Sequence, residues 1–167
     1  MSESPPSRKV GARGRELALW MLSHAEQAEF APEAMELFER EPPKLDPSDE
    51  FLAPHADEIG SLIGDARARR WASRLVEAYL RDAEAIDAQI EAASQRWRLE
   101  RMDRVDRNLL RLCAVELRSE STPRNVVISE AVRLAARYGS ERSPSFVNGL
   151  AEALARTLRD GSQEEEA

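Results

Sequence analysis

Residues 97–149, reading WRLERMDRVDRNLLRLCAVELRSESTPRNVVISEAVRLAARYGSERSPSFVNG, constrain the fold more than any other stretch of the chain. Val105, Leu109, Leu112, Cys113 and Leu117 share one side of a helix over about 103–118. Pro123 and Asn125 mark the next helix start. Val127, Ala131, Leu134, Ala135 and Tyr138 form its apolar stripe, and Gly139 fits its C-terminal stop. Ser143-Pro144 is a restart signal, a capping hydroxyl followed by proline at the first helical position. The helix it opens runs to about Leu158 and carries Phe-Val-Asn-Gly near its start.

Composition extends the helical reading to the whole chain. Ala, Leu, Arg and Glu dominate, and all four are strong helix formers. Aromatic residues at 5% and seven glycines disfavour a β-sandwich or barrel. A length of 167 residues with 42% hydrophobic content suits one domain, or two small helical subdomains sharing a core. The fold class expected is all-α.

Residues 1–11, with Pro5, Pro6 and Gly11, read as a flexible basic arm. A first helix is expected over about 12–28, where Leu17, Met21 and Ala28, with Leu19 and Leu22 nearby, give a broad apolar face. A short helix around Met35, Leu37 and Phe38 follows, then a proline-rich acidic connection over about 40–55. From about 57 to 93 the pattern is helical again, with Gly60 and Gly64 allowing a bend or close packing. The N-terminal helices thus occupy about 12–93, the C-terminal helices about 97–160, and 161–167 form an acidic tail.

The net charge of −7 is unevenly distributed. Between His24 and Asp65 twelve acids stand against Arg40 and Lys44. Arg8, Lys9, Arg13 and Arg15 face only Glu16, and from Gln95 to Arg118 seven arginines face four acids. Phosphates respond to the local field within about 10 Å, so an acidic total is compatible with RNA binding. It predicts weak, salt-sensitive binding without a partner. Arginines on solvated helix faces are the simpler reading of the same residues.

The pattern disfavours an enzyme. His24 and His55 are the only histidines and fall in acid-rich segments that read as surface. Cys113 sits on an apolar stripe, consistent with a small buried side chain, and a single cysteine forms neither an internal disulfide nor a metal set. No glycine-rich phosphate loop, nucleophile elbow or metal-spaced cluster occurs, and no cofactor is implied. No apolar run approaches the roughly 20 residues that span a bilayer. The first ten residues lack a signal-peptide core, so a soluble cytoplasmic protein without a membrane partner is expected.

Phe146 carries two readings. In the first turn of a helix, free backbone N–H groups can meet a phosphate, a ring can stack on an unpaired base, and Arg142 adds a cation. The helix pattern alone favours the other reading, a core anchor for the last helix.

Three blocks in order resemble the NusB family of transcription antitermination factors. They are Arg13-Gly14-Arg15-Glu16-Leu17-Ala18-Leu19, the Val105–Leu117 helix with its Val-Asp-Arg and Leu-Leu-Arg-Leu strings, and the Val127–Val132 helix followed by Phe146-Val147-Asn148-Gly149. The resemblance implies a NusB-like fold of two packed helical subdomains with about seven helices. It implies binding of boxA-type single-stranded RNA from ribosomal RNA transcripts together with the small-subunit ribosomal protein NusE. RNA polymerase and other Nus factors would join indirectly, letting the polymerase read through terminators. RNA contacts are expected at Arg8, Lys9, Arg13, Arg15, Arg142 and Phe146. Glu100 and Asp106 are expected to accept the basic ribosomal protein. Asn148 and Gly149 are expected to be structural, the glycine by permitting close helix approach. Some members dimerise, so monomer and homodimer both stay open. The alternative to the RNA reading is a protein-interaction module on the same fold.

Overall fold

A computed structural model describes residues 6–33 and 53–160. The expected helix at 33–39 beyond Glu33, most of the proline-rich connection and the acidic tail lie outside the described residues. Among the described residues there are seven α-helices and no strand. They are α1 (Arg8–Gln27), α2 (Ala56–Gly64), α3 (Ala66–Arg81), α4 (Ala83–Ser94), α5 (Arg104–Ser119), α6 (Arg124–Tyr138) and α7 (Ser143–Ala155). Short 3₁₀ turns span Ala53–His55 and Leu99–Arg101, and a π turn spans Arg156–Asp160. The all-α expectation holds. The chain divides into two compact units, one of Pro6–Arg74 and one containing Leu75 onward.

In the first unit, α1 begins at Arg8, four residues before the expected start. Ser7 is its N-cap and accepts the Val10 N–H at 3.4 Å, so Arg8–Gly11 are helical rather than part of an arm. Every residue from Gly14 to Ser23 is buried, so the middle of α1 is covered on all sides and not along one stripe. Gly14 gives the space for this: a Cβ there would lie 2.5 Å from Cδ1 of Trp71. Ile59, Leu62 and Ile63 of α2 pack beside α1.

The stretch over 57–93 with a helical pattern is three helices, broken twice. Asp65 takes an extended conformation (φ −87°, ψ 102°), and its carboxylate accepts the N–H groups of Arg67 (3.1 Å) and Ala68 (3.2 Å). It thereby closes α2 and opens α3 with a side-chain cap. Asp82 separates α3 from α4. Gly60 and Gly64 have open space around them and support no close packing.

In the second unit α5, α6 and α7 pack on one another, and α4 packs on α5 and α7. Leu109, Leu110, Leu117, Leu134, Val147 and Leu154 are among its buried side chains. Cys113 is buried as the stripe predicted. Gly139 closes α6 in an extended conformation. What requires glycine there is space, because a Cβ would run into the Ser143 side chain and the Ala135 carbonyl. At the far end of α5, Arg159 donates to the carbonyls of Leu117 (3.2 Å), Glu116 (3.3 Å) and Thr122 (2.7 Å). A cation thereby meets carbonyls that the helix itself leaves without partners.

Candidate nucleic-acid interface

The four basic residues expected on the N-terminal segment do not share one environment. Arg8 and Lys9 are exposed on the first turn of α1. Arg13 is held within its own unit: Nε donates to Asp65 Oδ2 at 2.9 Å, and Nη2 donates to the Ser61 carbonyl at 3.2 Å and its hydroxyl at 3.4 Å. The Asp65 carboxyl lies below the usual carboxylate range, first through its bond from the Ala68 N–H and then through Arg13. Arg15 is 7% exposed, so the expected phosphate contact there is corrected to a buried position. Its guanidinium runs over Gly11, where a Cβ would lie 2.8 Å from Nη1. A glycine one helical turn earlier is the sequence signal that gives this arginine room.

Neither histidine is simply a surface residue. His24 is partly buried and its imidazole is pushed down by desolvation. His55 packs its ring 5.8 Å from that of Trp20. Among the described residues no group of His, Cys, Asp and Glu could hold a metal ion, and no helix is long and apolar enough to cross a membrane.

The second unit brings Arg142 and Phe146 together at the start of α7. The N-cap is Arg142 and not Ser143, and the Phe146 N–H donates to the Arg142 carbonyl at 3.1 Å. Ser143 is fully buried; its hydroxyl accepts the Ser140 N–H at 2.9 Å. Ser143 N–H itself donates to the Ser140 carbonyl at 3.1 Å, and Pro144 has no N–H. The first turn therefore offers an anion only the Ser145 N–H, fewer donors than the sequence suggests. Arg142 is exposed and Phe146 is half-buried, so the ring is neither a full core anchor nor free in solvent.

Glu100 is exposed on the Leu99–Arg101 turn, where a basic partner could reach it. Asp106 is not: it is 5% exposed on α5 and its Oδ1 has no hydrogen-bond partner. Burial pushes its carboxyl up, the Ser143 hydroxyl offsets part of that, and the Asp103 charge adds to it. Asp106 is thus an internal acid, which corrects its expected role as a partner acceptor. Asn148 and Gly149 are both exposed on α7. A Cβ at Gly149 would meet nothing within 4 Å, so close helix approach is not its role. Asn148 instead lines a shallow cavity of about 540 Å³ with Asn125, Ile128, Ser129 and Glu152, where Arg124 bonds Glu152 at 2.9 Å.

The reading of the sequence passed over a second basic surface. Arg69, Arg70 and Arg74 of α3 rim a cavity of about 480 Å³ in the first unit, floored by Leu17, Met21 and Ile63. The arginines follow the helix period, but their apolar floor comes from two other helices and has no local signature.

Comparison with known proteins agrees with this architecture. A family model described as the NusB family matches residues 13–156. The chain is 42% identical over 153 residues to the transcription antitermination protein NusB of Sorangium cellulosum, covering 89% of this chain and 95% of that protein. It is 39% identical over 154 residues to the transcription antitermination protein NusB of Geobacter sulfurreducens, covering 90% and 99%. A solved structure of T. maritima NusB superposes with a TM-score of 0.69 at 27% identity, covering 97% of this chain and 99% of that one. Matched by the family model over residues 13–156 and by these relatives along nearly its whole length, this chain belongs to the NusB family of transcription antitermination proteins.

Proposed function

We propose that the chain binds boxA-type single-stranded RNA of ribosomal RNA transcripts jointly with the small-subunit ribosomal protein NusE. The complex helps RNA polymerase read through terminators in the cytoplasm. The observation that carries this reading is the half-buried Phe146 in the first turn of α7 beside the exposed Arg142. A ring held on one side by the fold and open on the other can stack on an unpaired base without a large ordering cost. Arg142, Arg8 and Lys9 supply phosphate contacts, and Glu100 is an accessible acceptor for the basic ribosomal protein. The mechanism is scaffolding: the chain holds RNA and protein partner together and performs no chemistry on either.

The engagement of Arg13 with Asp65 and the burial of Arg15 favour weak RNA binding by the isolated chain. They also keep a second reading in view, a protein-interaction module with little RNA contact. Fluorescence anisotropy with a labelled boxA-type RNA, with and without the ribosomal protein, separates the two. Cooperative binding that falls on Phe146→Ala supports the antitermination complex. Ribosomal-protein binding with no gain in RNA affinity overturns it in favour of the module.

A further inference from the structure

Trp97 is the only large hydrophobic side chain standing exposed among the described residues, at 51%. It lies in the short connection between α4 and the Leu99–Arg101 turn. That connection is held firmly: the Ser94 hydroxyl accepts the Trp97 N–H at 2.9 Å and donates to the Trp97 carbonyl at 2.9 Å. Two residues on, the Leu99 N–H donates to Glu91 Oε1 at 3.1 Å and the Leu99 side chain is buried. The backbone is thus pinned at and beyond an indole that half faces solvent. A tryptophan kept for packing would bury its large apolar surface, so an outward ring on a fixed backbone is suited to a ligand.

The arginines nearby separate into two groups. Arg107 donates to the carbonyls of Leu99 (3.3 Å) and Met102 (2.7 Å), Arg111 bonds Asp87 at 3.0 Å, and Arg118 pairs with Asp82 at 3.6 Å. The side chains of Arg96, Arg98 and Arg101 are exposed and make no hydrogen bond or ion pair with the described residues. Glu91, Glu100 and Asp103 are the exposed acids in the chain around Trp97; the Glu91 carboxylate is taken up by the Leu99 N–H, and the other two come after the indole. Arg96 and Arg98 flank Trp97 directly. Two exposed cations flanking an aromatic residue in the chain attract a phosphate backbone, and only an unpaired strand offers its base faces for stacking.

We propose that Trp97, Arg96 and Arg98 form a second contact for single-stranded RNA, apart from the start of α7. The indole stacks on one unpaired base while the two guanidinium groups hold the adjoining phosphates. The proposal rests on the RNA-binding reading for its ligand class, and on the displayed indole for its position.

The test uses the full chain, with and without the ribosomal protein, and a boxA-type oligoribonucleotide carrying several extra nucleotides at each end. Trp97→Ala should weaken RNA binding about tenfold, from the usual strength of one base–aromatic stack, while Trp97→Phe stays within about threefold. Arg96→Gln with Arg98→Gln should reduce the slope of log affinity against log salt by about 1.4. Because all three side chains are exposed, each variant should unfold at the wild-type temperature by circular dichroism. Wild-type affinity in Trp97→Ala, alongside a loss in Phe146→Ala, overturns the Trp97 contact and leaves the RNA reading standing. A Trp97→Ala variant that loses only the ribosomal protein overturns it in favour of a protein contact. A wild-type chain that binds no RNA under either condition overturns both readings together.

Discussion

Arg111 and Asp87 meet two nitrogens to two oxygens, Nε to Oδ1 at 3.0 Å and Nη2 to Oδ2 at 3.2 Å. The Tyr79 hydroxyl donates to the same carboxylate at 3.0 Å, and Arg111 Nη1 donates to Asn108 Oδ1 at 3.0 Å. The guanidinium also stands 5.0 Å from the Tyr79 ring centre. One arginine therefore ties α3, α4 and α5 together within the second unit. Removing Asp87 takes the two-pronged carboxylate away from a guanidinium that is only 6% exposed. Asp87→Ala should destabilise the chain by about 2–4 kcal/mol, read by urea unfolding, the lower end reflecting the part of Asp87 that stays wet. A loss below about 0.5 kcal/mol would mean that the network has little weight.

Asp106 gives the folded chain a pH dependence of known sign. Its folded pKa is raised, so the native state holds that proton more tightly than the unfolded chain does. Its contribution is fully present below the ordinary aspartate value and is lost as pH rises through the raised one. Asp106→Asn, which stays neutral, should raise the melting temperature at pH 7, and the gain should vanish on acidification. Asp65 runs the opposite way: its folded pKa is lowered, so its contribution is present above the ordinary value and is lost as pH falls. Thermal melts of Asp106→Asn and Asp65→Asn from pH 3 to 7 should diverge from the wild type in opposite directions, a gain towards neutral pH for the first and a loss for the second.

Two glycines should respond oppositely to alanine. Gly14→Ala drives a methyl group into Trp71 and should cost about 1–3 kcal/mol, despite better helix propensity. Gly149→Ala enters open space in mid-helix and should stabilise by about 0.5–1 kcal/mol. Melting temperatures that move the same way for both would contradict this pair of environments.

The basic residues of α1 should separate by role. Arg8→Gln with Lys9→Gln should leave the melting temperature unchanged and weaken RNA binding, lowering the salt slope by about 1.4. Arg15→Gln should act first on stability, because the side chain is buried. A clean loss of RNA affinity at unchanged stability in Arg15→Gln would reverse that assignment.

What could be read from the sequence was the local periodicity. The helix expected over 103–118 lies at Arg104–Ser119, and the stripe from Val127 to Tyr138 lies on α6 as read. The break at Asp65 had a signal, a capping residue straight after Gly64, but an apolar stripe that resumes in phase hides a one-residue interruption. Asp82 makes no side-chain capping bond and announces itself less. At the candidate site, Arg13 and Arg15 read as one basic cluster, although Asp65 comes from 52 residues away and the burial of α1 comes from the whole fold. Nor could composition reveal that Trp97 faces outward while Trp20 is 2% exposed.

The division among the arginines of residues 96–118 bears on which sequence changes the family can tolerate. Lysine at 96 or 98 would keep a mobile positive end beside the indole, adequate for holding a phosphate as a point charge. Lysine at 111 would carry the same charge but lack the planar fork that meets Asp87 and Asn108 at once. Two descendants of this chain with identical charge counts could therefore differ sharply in stability. In this helical family arginine-to-lysine drift should accumulate at the outward positions and stop at the inward one.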